Sequence, residues 1–413
     1  MDEKFKELEQ CRACGSKSLV SYLDLGKTPL ANSLIMKEDV GTEEVFPLNV
    51  LLCRDCFFSQ LSIVVNPEKM FRNYFFVSSI SNTFRKHCEE LAFQLNDSGI
   101  FEDNNLIVDI ASNDGTLLKP FKEKGNRILG VDPALNIAKI ANDERIETIP
   151  EYWTPELAKK IREKYGTAKV ITAFNVFAHV DDIHSFVESA KLLLDKEGYF
   201  IIESPHILPL INNTEFDTIY HEHLSYLLVK PLISVMNSHG FRIAKIEEHN
   251  IHGGSIRMFM KHIESEETSD ETVRAILEKE EKQGLYSFDT YLSFKEKVSE
   301  IKYNLVSLLK KLKSEGKIVA GFGASAKGNT LLNYSGINNE LLTHVFDITP
   351  EKQNKLTPVS NIPIIHQSRL MENSPDYLLL LAWNYADEIF EKTLDFKNKG
   401  GKYIIPVPEV RII

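Results

Sequence analysis

The stretch LIVDIASNDGTLLKPFKEKGNRILGVDP, Leu106 to Pro133, decides the fold. Leu106, Ile107 and Val108 form an apolar run that reads as a buried strand ending on Asp109. A turn of small and polar residues follows, Ala111-Ser112-Asn113-Asp114-Gly115. A helical segment then spans Thr116 to Lys124, and a second strand, Ile128 to Val131, ends on Asp132. Strand, tight turn, helix, strand and acid is the layout of a nucleotide-binding βαβ unit.

The dinucleotide fingerprint is absent, because Ala111 and Asn113 stand where its first two glycines would fall. A pyrophosphate therefore lacks its cradle. The turn suits a ligand such as S-adenosylmethionine, whose sulfonium and amino acid ends can meet Asp109 and backbone groups. Asp132 is placed to accept from ribose hydroxyls. After Pro133 the alternation continues, with helices over 136–142, 155–165 and 183–194 and strands over 146–149, 169–174 and 198–203. This pattern predicts a mostly parallel, doubly wound sheet with ligands at its strand C-termini. Three polar strand ends converge there: Asp109–Gly115, Asp132–Pro133 and Asn175–Asp182.

A chain of 413 residues predicts two or three domains. Its net charge of −11 excludes a general nucleic-acid binder and leaves room for a local basic pocket. No apolar run is long enough to span a bilayer, and MDEKFKELEQ is no signal peptide, so a cytoplasmic protein is expected. Cys11-x-x-Cys14 and Cys53-x-x-Cys56 are paired knuckles. Four thiolates make a closed zinc site, which folds a domain and leaves no coordination position for catalysis. The long stretch between the knuckles carries Thr28-Pro29-Leu30-Ala31-Asn32. Cys88, without a partner, reads as a core thiol.

Met70 to Ser81 is rich in aromatics without clean periodicity and reads as a linker or as a lid over a small-molecule site. Ser81 to Gln94 reads as an amphipathic helix, with Asn82 or Thr83 near its start. The most chemically loaded segment is Phe216 to Tyr226, where Tyr220, His221, Glu222 and His223 can supply a base, a carboxylate and a phenol donor. A metal shared by both histidines is disfavoured, since residues one and two apart do not share a helix face. In His252-Gly253-Gly254-Ser255-Ile256-Arg257, Arg257 is a candidate partner for phosphate or carboxylate, with a hairpin turn as the plain alternative. Residues 264–315 read as charged helices with solvated faces. A second nucleotide-fold pattern starts at Lys317: a strand into Gly321-Phe-Gly-Ala-Ser-Ala-Lys-Gly328, with Asp347 at a ribose-acid position.

Taken together and in order, these motifs resemble the S-adenosylmethionine-dependent C-methyltransferases of nucleotide-linked deoxysugars, above all the C-3′ type of tetronitrose synthesis. The paired knuckles, Asp109–Gly115, Gly130-Val-Asp-Pro133, Asn175-Val-Phe-Ala-His179, Tyr220–His223, His252–Ser255 and Gly323–Gly328 carry the resemblance. It implies an α/β chain of three parts: a zinc-binding domain over 1–70, a Rossmann-like class I methyltransferase domain over 71–260, and a Rossmann-like domain over 261–413 that helps hold the nucleotide sugar. The implied reaction is methylation of carbon 3 beside a 4-keto group through an enolate. The implied base is His223, oriented or tuned by Glu222, with Tyr220 and His179 at substrate or enolate and Tyr74 as an active-site tyrosine of the linker. Cofactor candidates are Asp109, Ala111, Asn113, Gly115, Asp132, Pro133, Asn175 and Val176. Substrate candidates are His252, Ser255, Arg257, Ser325 and Lys327. The expected partner is a nucleotide-linked keto sugar, with no nucleic acid and no membrane, and a monomer is the default state. Methylation at carbon 5, oxygen or nitrogen, and a non-catalytic zinc-containing binding protein, are the alternatives.

Overall fold

The computed structural model describes residues 4–72, 74, 77–101, 104–251, 253–372 and 374–413. Its central sheet has seven strands: β1 (Leu106–Ile110), β2 (Arg127–Val131), β3 (Thr148–Ile149), β4 (Ala168–Phe174), β5 (Leu194–Pro205), β6 (Phe241–His249) and β7 (Ser255–His262). Their order is β3-β2-β1-β4-β5-β7-β6, and only β7 runs against its neighbours. The doubly wound sheet is therefore present, closed on one edge by a hairpin. The chain leaves β1 to build on one side and returns through β4 on the other, so the crevice for a ligand opens between the ends of these two strands. β1 is buried at every position, as its uninterrupted apolar run demands of a strand covered on both faces.

Helix α1 (Asn82–Asp97) covers the sheet through Cys88, Leu91, Ala92 and Leu95, and its cap is Ser81, whose hydroxyl accepts from Phe84 N. The glycines at 253 and 254, with φ of 91° and 114°, lie in the turn of the β6–β7 hairpin. β7 carries the central sheet to His262, two residues beyond the expected boundary.

Before the central sheet, strands Leu19–Pro29, Val45–Cys53 and Ser59–Leu61 form an antiparallel sheet. Its fourth strand comes from far along the chain: Ser225–Tyr226 pairs with Ser59 and Gln60. The N-terminal sheet is thus completed by the end of the Tyr220–Tyr226 segment.

Helices α2 (Glu271–Lys282) and α3 (Phe288–Ser314) lead into the third unit. Their faces are not all solvated, contrary to the reading from charge. Glu280 is fully buried and accepts from Val229 N at 2.7 Å, with His206 Nε2 2.8 Å away. α3 buries Tyr291, Phe294, Val298, Ile301, Leu305, Leu309 and Leu312, a helical stripe with steps of three and four. That stripe joins the N-terminal sheet, through Tyr22 and Leu48, to the C-terminal sheet in one apolar cluster.

The C-terminal sheet contains β8 (Val319–Phe322), β9 (Val345–Asp347), β10 (Ile364–His366), β11 (Tyr377–Leu380), β12 (Lys402–Ile405) and β13 (Arg411–Ile412). Its order is β10-β9-β8-β11-β12-β13, parallel except for β13. Here too the direction of winding reverses, between β8 and β11. Helix α4 (Ala326–Ser335) starts at that crevice. No helix of the described residues is long and apolar enough to cross a membrane.

Candidate active site

The four knuckle cysteines converge. Cys11 and Cys56 sulfurs are 3.6 Å apart, as are those of Cys14 and Cys53, and all four lie within 4.8 Å of one another. Tetrahedral zinc with Zn–S near 2.3 Å calls for sulfurs about 3.8 Å apart, so the set fits the ion. Each knuckle turns through a left-handed residue, Gly15 and Phe57. The first also reaches the loaded segment: Arg12 Nη1 donates to Leu224 O at 3.0 Å and Arg12 Nε is 3.5 Å from Asp181.

The turn after β1 is built from left-handed backbone. Ala111, Asn113 and Gly115 have φ of 55°, 50° and 77°, and Asn175 after β4 has 53°. For Ala111 this is a strained conformation, of the kind that surrounding structure must hold in place. Asp132 helps hold it, accepting from Asn113 N at 2.9 Å and from Ala134 N at 2.8 Å. Asp109 accepts from the Thr172 hydroxyl at 2.6 Å. Burial pushes the Asp109 carboxyl up to about 7. The Asn175 side-chain oxygen is buried without a partner among the described residues. Val176 is half-buried beside it, its carbonyl taken by His179 N. Two buried carboxylates and an orphaned amide oxygen make an acceptor-rich crevice. That set fits a ligand with ammonium, sulfonium and ribose hydroxyl groups. The linker lies over this turn: Ser78 N donates to Asn113, Ser79 N to Asp114, and Arg72 to Pro133 O.

Tyr74 is fastened from both sides of its peptide to Asn136, with bonds of 3.1 and 2.8 Å. Its hydroxyl lies 3.5 Å from Glu222 Oε2. Glu222 is 6% exposed, and Asn32, in the turn after strand Leu19–Pro29, donates to its Oε1 at 2.6 Å. Burial raises the Glu222 carboxyl to about 7. His223 and Tyr220 rings are 4.1 Å apart, and His223 and His179 rings 5.0 Å apart. His223 Nδ1 lies 2.7 Å from the carbonyl oxygen of Thr218. A carbonyl only accepts, so Nδ1 carries hydrogen and Nε2 is the basic nitrogen. Burial, then the charge of His223, hold His179 down to about 3. Tyr220 and Tyr74 are raised well above the ordinary phenol range by burial and by Glu222. His221 faces away, its Nε2 on Pro47 O at 3.2 Å and its ring against Phe46.

Several expectations are corrected here. Glu222 does not orient His223; its oxygens meet Asn32 and Tyr74, and Thr218 supplies the orienting acceptor. Arg257 is 1% exposed and committed to Glu203 at 2.7 Å, which removes it from the substrate candidates. Ser255 is buried on β7 and donates to Ile251 O. Ser325 caps α4, accepting from Gly328 N and donating to Leu381 O. His252 lies outside the described residues. Lys327 remains: its ammonium sits 5.3 Å over the Trp383 ring and 3.9 Å from Glu215, with no hydrogen-bond partner among the described residues. Trp383 donates to Asp217 at 2.6 Å. The segment from Glu215 to His223 therefore runs from the C-terminal crevice to the cluster of Tyr74 and His179.

Three family models match successive parts of the chain. "Putative zinc binding domain" matches residues 11–71, "Methyltransferase domain" 80–246, and "C-methyltransferase C-terminal domain" 250–408. The C-methyltransferase NovU of Streptomyces niveus is 36% identical over 414 residues, covering 100% of this chain and 99% of that one. The chain belongs to the C-methyltransferase family. It is an enzyme that uses S-adenosylmethionine, and four of its five cysteines, Cys11, Cys14, Cys53 and Cys56, form a zinc site. This C-methyltransferase is also similar, at low identity, to solved methyltransferase structures. A SAM-dependent methyltransferase from Archaeoglobus fulgidus is 22% identical, covering 47% of this chain and 86% of that one at a TM-score of 0.33. Magnesium protoporphyrin IX methyltransferase from Synechocystis PCC 6803 is 12% identical, covering 43% and 78%, also at 0.33. Likeness of that degree decides nothing about substrate.

Asn32, Thr218, Glu215 and Asp217 escaped the sequence reading as site residues. Thr218 acts through its backbone, which leaves no side-chain signal. Asn32 left one: a lone amide after an otherwise apolar Pro29-Leu30-Ala31.

Proposed function

We propose that this enzyme methylates carbon 3 of a nucleotide-linked 4-keto deoxysugar in the cytoplasm, through an enolate. The observation that supports the reading is the bond from His223 Nδ1 to Thr218 O, which puts the hydrogen of a neutral ring on Nδ1 and leaves Nε2 as the nitrogen able to take a proton. A carbon beside a ketone must lose a proton before it can attack an electrophile, and oxygen or nitrogen nucleophiles need less apparatus. His223 Nε2 takes that proton, and the electron pair moves onto the ketone oxygen. Tyr220, kept protonated by burial, donates to the oxygen as its charge grows. His179, held neutral, adds no charge to oppose the imidazolium forming 5.0 Å away. Asp109, Asp132, Asn175 and the 111–115 turn hold S-adenosylmethionine, which supplies an electrophilic methyl group on its sulfonium. The nucleotide phosphates lie towards Lys327, at the start of α4.

The test is mass spectrometry of the enzyme with S-adenosylmethionine and a panel of nucleotide 4-keto sugars, with NMR to place the new methyl group. Gain of one methyl on carbon 3 is expected. A methyl on carbon 5, oxygen or nitrogen, or none on any keto sugar, overturns the reading.

A further inference from the structure

Thr28 to Asn32 leaves the N-terminal sheet at the end of strand Leu19–Pro29 and enters the space between the other two units. Ala31 is buried, and its carbonyl oxygen accepts from Asn329 Nδ2 of α4 at 2.7 Å. One residue on, Asn32 donates to Glu222 at 2.6 Å. Two consecutive residues thus tie the helix at the C-terminal crevice and the Tyr220–His223 segment to the zinc-bearing sheet. Asn32 is otherwise exposed, so packing gives no reason for an amide there.

We propose that Asn32 is a positioning residue for the reaction, its amide deciding which oxygen of Glu222 can carry a proton. This rests on the reading that Glu222 belongs to the reacting cavity. The carbonyl oxygen of a neutral carboxyl is its stronger acceptor, so the Asn32 N–H favours Oε1 in that role and the proton on Oε2. Oε2 faces the Tyr74 hydroxyl at 3.5 Å. When Oε2 is protonated it donates to the Tyr74 oxygen, and the phenol hydrogen is turned towards other acceptors. When Glu222 is ionised, Tyr74 donates back to it. Asn32 thereby fixes Oε2 as the oxygen of Glu222 that exchanges a hydrogen with Tyr74. Among the described residues, the titratable groups around this carboxyl are Tyr74, Tyr220 and the adjacent His223, and both tyrosines stay protonated near neutrality. Burial brings Glu222 to about 7 even with the Asn32 bond, so both directions are open to this pair near pH 7.

The experiment compares Asn32→Ala, Glu222→Gln and the double variant in the full chain. Loss of one hydrogen bond to a carboxylate should raise the Glu222 titration by about one pH unit. The infrared band of its protonated carboxyl, identified by its disappearance in Glu222→Gln, reads this without substrate. Turnover should fall about tenfold in Asn32→Ala, with the pH–rate limb moving upward by the same unit. In the Glu222→Gln background, Asn32→Ala should cost nothing further. An unchanged infrared titration, or losses that multiply in the double variant, overturns the proposal. Failure of the parent to methylate any keto sugar would instead strike the functional reading, leaving the infrared result to judge Asn32 alone.

Discussion

The carbonyl oxygen of Thr218 lies 2.7 Å from Nδ1 of His223, five residues further along the chain. This backbone contact does what a carboxylate does for many catalytic histidines, choosing the tautomer and fixing the ring. It also leaves Glu222 for Asn32 and Tyr74. Removing the base should cost roughly a hundred- to ten-thousand-fold in rate. His223→Ala is therefore expected to lose turnover to that extent, with S-adenosylmethionine affinity by calorimetry nearly unchanged. Exchange of solvent deuterium into the reacting carbon should slow in parallel. Near-parental turnover in this variant, with loss in Tyr220→Phe, would pass the role of base to another group.

Zinc should matter for the reaction without touching it. The knuckle residue Arg12 holds Leu224 O, and the N-terminal sheet takes Ser225–Tyr226 as a strand. Cys14→Ser, or removal of metal by a chelator, is expected to loosen the Tyr220–Tyr226 segment and abolish turnover. S-adenosylmethionine binding to the central sheet should survive better than activity. Metal analysis should find one zinc per parent chain, and folded, active protein lacking zinc would contradict this.

Asp109 should make cofactor binding depend on pH. Its carboxyl is raised to about 7 by burial, while a cationic ligand favours the ionised form. Binding should therefore release a proton, and affinity should rise as pH increases through about 7. Calorimetry in buffers of different ionisation enthalpy measures this. Asp109→Asn should bind more weakly and without the pH slope. Asp132→Ala should also weaken cofactor binding, through both the ribose and the Asn113 turn, while leaving nucleotide-sugar binding largely intact.

Arg257 belongs to stability. Burial pushes Glu203 up, yet the bond with His87 and the charge of Arg257 hold it below the ordinary carboxylate range. Such a depressed group stabilises the fold above its unfolded pKa, and that contribution is lost as pH falls through the folded value. Breaking a buried pair by removing one partner costs about 3–5 kcal/mol. Arg257→Ala is expected to lower unfolding free energy in urea by that amount near neutrality and to unfold at higher pH on acidification. Full stability in this variant would show that the pair contributes nothing.

Local pattern was enough for much of this protein. The apolar run Leu106–Val108 meeting Asp109, the strand ending on Asp132, and the alternation up to Glu203 carry the doubly wound sheet in their own periodicity. Two Cys-x-x-Cys knuckles announce their metal, because the spacing itself makes the turn. What a side chain does once the chain has folded was less legible. Arg257 and Ser325 look like ligand groups in sequence, yet one is consumed by Glu203 and the other caps α4, since a buried charge or an open helix end takes the nearest partner. Glu222 sits beside His223 in sequence but points to Asn32, 190 residues earlier. Thr218 acts through a carbonyl that every residue possesses. Contacts between distant segments depend on where α3 and the N-terminal sheet bring the three units together, and no local periodicity encodes that meeting.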